Sequence, residues 1–190
     1  VAQINSPYIL TPTTVDSTTT ITVQFNNTVG ATNIAILTGL NSPFSISVDS
    51  LVIAANDSAT ITISFNPTSL GNFTDTLDFA GSIYGGGSLI LNGEGVQVSM
   101  TTSTDSLNLG SISLGTTITD SILISNTGTG TMAISNVTTN NIAVTVNPTS
   151  MQIAQGANAY LTITYTPIFA GSISATVNIG GDIDWPIFME

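Results

Sequence analysis

The chain has no lysine, arginine, histidine or cysteine among its 190 residues. With nothing to neutralise phosphate and a formal net charge of −11, the attraction behind nucleic-acid binding turns into repulsion, so nucleic acid and anionic membrane surfaces are excluded as partners. The usual general bases, thiolate nucleophiles, Schiff-base amines and soft metal ligands are missing too. Only carboxylates, tyrosines and hydroxyls remain for chemistry, and no enzymatic activity is expected. Disulfides and lysine-to-asparagine amide crosslinks are likewise excluded, as are salt bridges between side chains, so packing and hydrogen bonds must hold the fold.

Long apolar runs are also absent. No stretch reaches the roughly 18 to 20 residues a membrane helix needs, and no basic segment followed by an apolar one opens the chain, so no membrane insertion is expected. The sequence begins at Val1 rather than Met. This reads as a mature form from which a signal peptide has been removed, and it places the protein outside the cell, at a cell surface.

What is present is apolar: hydrophobic residues make up 42% of the chain, while the charged 6% are all Asp or Glu. Such a composition buries a core. Solubility then rests on Ser, Thr and Asn. Asn26, Asn56, Asn72 and Asn136 each open an Asn-x-Ser/Thr triplet, the acceptor form for an N-linked glycan in a secreted chain.

The sequence repeats once, at a spacing of about 100 residues. Ile61, Ile63, Phe65, Pro67 and Gly71 recur as Leu161, Ile163, Tyr165, Pro167 and Gly171, and Phe73, Leu77 and Phe79 recur as Ile173, Val177 and Ile179. Upstream the offset is 99, matching Val23, Phe25, Asn27 and Thr28 to Ile122, Ile124, Asn126 and Thr127. Two domains are expected, 1–95 and 96–190. Within each, apolar and hydroxyl residues alternate with the period of two that marks a half-buried strand. Leu161, Ile163 and Tyr165 face inward, while Thr162 and Thr164 face water, where a branched Cβ suits the pleat. Turn residues punctuate these runs every 8 to 12 residues or so, and no segment shows a helical period. The predicted fold is all-β: two tandem immunoglobulin-like antiparallel sandwiches of about seven strands each.

Leu107-Asn108-Leu109-Gly110, Leu114-Gly115-Thr116, Ser125-Asn126-Thr127-Gly128 and Thr164-Tyr165-Thr166-Pro167 with Gly171 carry a resemblance. The pattern resembles the bacterial immunoglobulin-like repeats of the ASH type (abnormal spindle and hydin), relatives of the major sperm protein fold. Their Phe-Gly step is Leu109-Gly110 here, their Asn-Thr-Gly turn is intact, and Gly93-Glu94-Gly95 closes the first unit. The resemblance implies scaffolding, surface display or protein association, and no catalytic residues or cofactors. Fold alone does not decide among these.

The first unit departs from the pattern. Aligning Tyr8 and Leu10 with Leu107 and Leu109 leaves Val96, Val98 and Met100, the opening strand of the second unit, with almost no counterpart. Unit one is therefore expected to lack its first strand, leaving an edge that a strand from another copy can fill. The segment containing Val1, Ile4, Tyr8 and Leu10 is the candidate inter-subunit strand, and the candidate partners are other copies joined head to tail into a pilus-like filament by donor-strand pairing. An adhesive or glycan-binding module of a larger surface protein is the alternative, with Trp185, the sole tryptophan, as contact residue.

Among the acids, Asp182 and Asp184 lie two apart in a glycine-rich turn, a spacing open to Ca2+ ligation by oxygen; turn chemistry is their ordinary role. Asp49 sits near a turn, and Asp75 and Asp78 flank a strand. Asp75 shares the inward parity of Phe73 and Leu77. Tyr84-Gly85-Gly86-Gly87 reads as a hairpin loop, with no helix after it to make a phosphate cradle.

Overall fold

The computed structural model describes residues 7–81 and 87–190, which are all-β. The chain divides into two compact units, Val1–Val96 and Gln97–Glu190.

The first unit contains β1 (Tyr8–Ile9), β2 (Thr13–Thr14), β3 (Thr19–Asn26), β4 (Asn33–Thr38), β5 (Phe44–Ile46), β6 (Ser50–Ile53), β7 (Ser58–Phe65), β8 (Gly71–Gly81) and β9 (Gly87–Val96). One sheet runs β1-β9-β8-β4-β6, with β2 also beside β9, and the other runs β3-β7-β5. The alternation read in the sequence sets which side chains meet between the sheets. Ile61, Ile63 and Phe65 of β7 are buried against Leu77, Leu89 and Leu91. Phe65 sits at the centre, with ring centroids 4.8 Å from Phe44 and 5.7 Å from Phe73. Burying one such side chain contributes about 1.5–3 kcal/mol.

The second unit repeats the plan with β10 (Met100–Thr102), β11 (Ser106–Leu107), β12 (Ile118–Asn126), β13 (Met132–Thr139), β14 (Val144–Asn147), β15 (Met151–Ile153), β16 (Asn158–Tyr165), β17 (Ala175–Gly181) and β18 (Trp185–Met189). Its sheets are β11-β18-β17-β13-β15 and β10-β12-β16-β14. Ile122, Ile124, Leu161, Ile163, Val177 and Ile187 fill the core. On the outer face of β12 and β16, hydroxyls pair across the strands: Thr117 with Thr166 at 2.9 Å, Thr119 with Thr164 at 3.2 Å and Ser121 with Thr162 at 3.4 Å.

Not every ladder is antiparallel. β1 and β2 run parallel to β9, and β11 runs parallel to β18. These short opening segments lie along the last strand of their unit, where the Leu10 amide donates to Asn92 and the Glu190 amide to Leu107. Side-chain alternation encodes which face is buried and says nothing of strand direction, so this pairing was not legible in the sequence.

Candidate functional site: an open sheet edge

The two units treat one edge differently. In the second, β10 pairs with β12 through Met100↔Asn126, Thr101↔Ser125 and Thr102↔Ile124. Further bonds extend this cover: the Ser103 amide donates to Leu123, Thr127 to Ser99, and Thr129 to Gln97. The backbone groups of Leu123, Ser125 and Thr127 thus turn away from β16 and are spent on the Gln97–Ser103 segment.

In the first unit β3 takes the place of β12. It pairs with β7 from Thr19↔Phe65 to Asn26↔Ser58, and Asn27 donates to Asp57 just as Asn126 donates to Ala157. By this register Gln24, Asn26 and Thr28 turn their backbone groups outward. Among the described residues no strand lies against that edge. Among the described residues its outward donors and acceptors have no strand partner, and they lie beside a core that contains Val23 and Phe25.

What keeps the end of this edge in shape is an asparagine that the sequence marked only as a turn residue. Asn27 is buried, and its Nδ2 donates to the carbonyls of Ala31, Ile53 and Ala54 at 2.8, 3.1 and 2.9 Å while its Oδ1 accepts from the Val29 amide. Asn126 does the same for Gly130 and Ile153, both at 2.8 Å, and accepts from Gly128. Each side chain ties the loop after its own strand to the strand or turn near Ile53 or Ile153. A buried amide is needed because loop carbonyls removed from water require donors. The recurrence of an asparagine at the same place in both units was the available signal.

Of the proposed inter-subunit strand, Val1 and Ile4 lie outside the described residues. Tyr8 pairs with Leu91 in β1, and Leu10 is buried in the core of its own unit, so these two are engaged within the first unit. Asn26, Asn56, Asn72 and Asn136 are all exposed. Trp185 is half-buried against the core of the second unit, with its indole Nε1 enclosed and without a hydrogen-bond partner.

The acids hold backbone. Asp182 Oδ2 accepts from the Ala133 amide at 2.8 Å, and Asp75 accepts from the amides of Asn41 at 2.7 Å and Thr76 at 2.8 Å. Asp75 is therefore a half-buried loop anchor, which explains its inward parity. Asp184 is exposed, and no group of three or more acids that could hold a metal ion occurs among the described residues. Of the expected hairpin loop, residues 84–86 lie outside them. No helix among them is long and apolar enough to cross a membrane.

The ASH family model (abnormal spindle-like microcephaly-associated, ASPM-SPD-2-Hydin) matches residues 13–88, and the model of the HYDIN/CFA65/VesB-like Ig-like domain matches residues 99–182. No curated protein matches the chain. Among solved structures, a Porphyromonas gingivalis protein of unknown function is 20% identical, with 97% of this chain and 96% of that one covered and a TM-score of 0.45. The ASH/PapD-like domain 7 of human CEP192 is 13% identical, covering 50% of this chain and 84% of its own, with a TM-score of 0.47. The Pseudomonas aeruginosa CupB2 chaperone is 11% identical over 99% and 97%, with a TM-score of 0.41.

Proposed function

We propose, for a chain that belongs in its two halves to the ASH and HYDIN/CFA65/VesB-like immunoglobulin-like repeats, that it is a non-catalytic extracellular structural protein. It associates with copies of itself by strand pairing, as a subunit of a surface filament or array. The observation that carries this reading is the outer edge of β3: the second unit covers the same edge with β10, and no described residue covers it in the first. Strand addition at such an edge supplies main-chain hydrogen bonds together with pockets for alternate side chains. A head-to-tail contact of this kind does not close on itself and propagates into a filament.

A second feature supports association. Ile34, Ile36 and Val52 stand exposed on β4 and β6 of the first unit, at 47%, 56% and 67%. The matching positions of the second unit are Ala133, Ser135 and Gln152. An apolar stripe that one repeat carries and its twin does not is the mark of a surface meant to be covered.

The test is light scattering with electron microscopy over a wide concentration range, on the parent chain and on Gln24→Pro. Proline at position 24 removes an outward amide and leaves the bonds to β7 in place, since an edge strand accepts proline on its open side. Concentration-dependent fibres or oligomers, suppressed by Gln24→Pro, are expected. A strict monomer at high concentration, or assemblies indifferent to the substitution, overturns the reading. Deleting residues 1–6 reports whether the chain's own first residues shield the edge: more assembly after deletion means that they do.

A further inference from the structure

The Asn-x-Ser/Thr triplets at Asn26, Asn56, Asn72 and Asn136 differ in how firmly the fold holds them. In the first, the middle residue Asn27 is buried; its backbone amide donates to the Asp57 carbonyl at 2.8 Å and its side chain to the carbonyls of Ala31, Ile53 and Ala54. The triplet at Asn72 lies within the β8–β9 ladder, Asn72↔Glu94, Phe73↔Gly93 and Thr74↔Asn92. There the Phe73 ring centroid packs 5.7 Å from that of Phe65, and the Thr74 hydroxyl donates to Asn92 Oδ1 at 2.9 Å. The triplet at Asn136 lies within the β13–β17 ladder, Val137 at its middle is buried, and Asn136 Oδ1 rests over Gly180, where it would collide with any Cβ.

Asn56 is held differently. It sits in the turn between β6 and β7, and every residue from Ala54 to Ser58 is exposed, so this triplet alone shows all three of its side chains to water. The Asn56 amide donates to the Val29 carbonyl at 3.1 Å, and the Asp57 amide closes the turn on Ala54 at 3.3 Å. The φ of Asn56 is 56°, a conformation that asparagine enters more readily than most side chains. Gly156 makes the same turn in the second unit at φ 69°, without a triplet. A triplet locked in a ladder meets a modifying enzyme only after local unfolding, whereas a turn presents its backbone and side chains from the folded state.

We propose that Asn56 is the N-glycan acceptor of the folded chain and that Asn26, Asn72 and Asn136 stay bare. The assignment rests on the extracellular part of the proposed function and is independent of strand pairing at β3. The donor is a glycan linked to a polyprenyl diphosphate, delivered by an oligosaccharyltransferase. Asn56 Nδ2 attacks the anomeric carbon; the N–C bond forms as the C–O bond to the diphosphate breaks, the amide gives up one proton to the transferase, and polyprenyl diphosphate leaves. A shallow cleft of about 350 Å3, lined by Asn26, Thr28, Asn56 and Ser58 among others, opens beside the acceptor and lays amides and hydroxyls against the first sugar.

The test uses a single-subunit oligosaccharyltransferase that glycosylates synthetic peptides of all four triplets, supplied with a polyprenyl-diphosphate-linked oligosaccharide and the folded full chain. One glycan per chain is expected, mapped to Asn56 by mass spectrometry. Asn56→Gln stops the transfer. So does Ser58→Ala, which leaves the acceptor and its turn in place and removes only the hydroxyl of the triplet; Ser58→Thr keeps the transfer. A glycan on Asn26, Asn72 or Asn136 of the folded chain, or none on Asn56, overturns the proposal. Peptide mapping of the protein from its natural source tells the two readings apart. Protein recovered outside the cell with Asn56 bare overturns the glycan alone, whereas protein confined within the cell overturns the extracellular reading and the glycan with it.

Discussion

Asn27 and Asn126 each tie the loop that follows their own strand to the end of β6 or β15. Removing the amide from Asn126 strands the carbonyls of Gly130 and Ile153 in a place water cannot reach, and Asn126→Ala should cost about 2–4 kcal/mol in urea unfolding of the second unit. Asn126→Asp keeps the shape and loses the donor, so it should cost nearly as much; a near-neutral result would show that water replaces the bonds. Gly93→Ala forces a methyl into the Phe65 ring and should destabilise the first unit by about 1–3 kcal/mol, read the same way. Trp185 is the opposite case. Its Nε1 is enclosed without a partner, so Trp185→Phe removes an unsatisfied donor and should change stability by less than about 1 kcal/mol. The Asn-Thr-Gly string disclosed a turn in the sequence, but the burial of its asparagine was not legible, because one of the two carbonyls it serves, that of Ile153 at the end of β15, lies 27 residues farther on.

At the scale of elements, the alternation of Leu161, Ile163 and Tyr165 with Thr162 and Thr164 was enough to place β16 and its inward face. It was silent on the parallel pairing of β1, β2 and β11, since a two-residue segment carries no period. An edge on β3 with no described strand beside it was expected only by subtraction, from a strand present in one repeat and unmatched in the other. Hydrogen exchange separates the two edges residue by residue. In dilute protein the amides of Gln24 and Asn26 should exchange quickly, whereas those of Leu123 and Ser125 are protected by the Gln97–Ser103 cover. At concentrations where assembly occurs, Gln24 and Asn26 should become protected as well. Protection of both in the dilute monomer would mean that residues 1–6 already occupy the edge.

For the whole molecule, eleven acids and no basic side chain set the terms of self-association. Copies repel one another, and the range of that repulsion shrinks from about 30 Å at 0.01 M salt to about 8 Å at 0.15 M. Assembly through β3 should therefore strengthen as salt is added, the reverse of an interface joined by opposite charges. Sedimentation at the two ionic strengths checks this, and weakening by salt would point to an oppositely charged partner instead. The second unit relies on the rows of hydroxyls across β12 and β16 for part of its contact with water. A hydroxyl donates or accepts with equal ease and does not titrate in the ordinary range. That face is wetted identically in acid, in alkali and in brine, giving the protein a hydration layer that its environment has no chemical means to switch off.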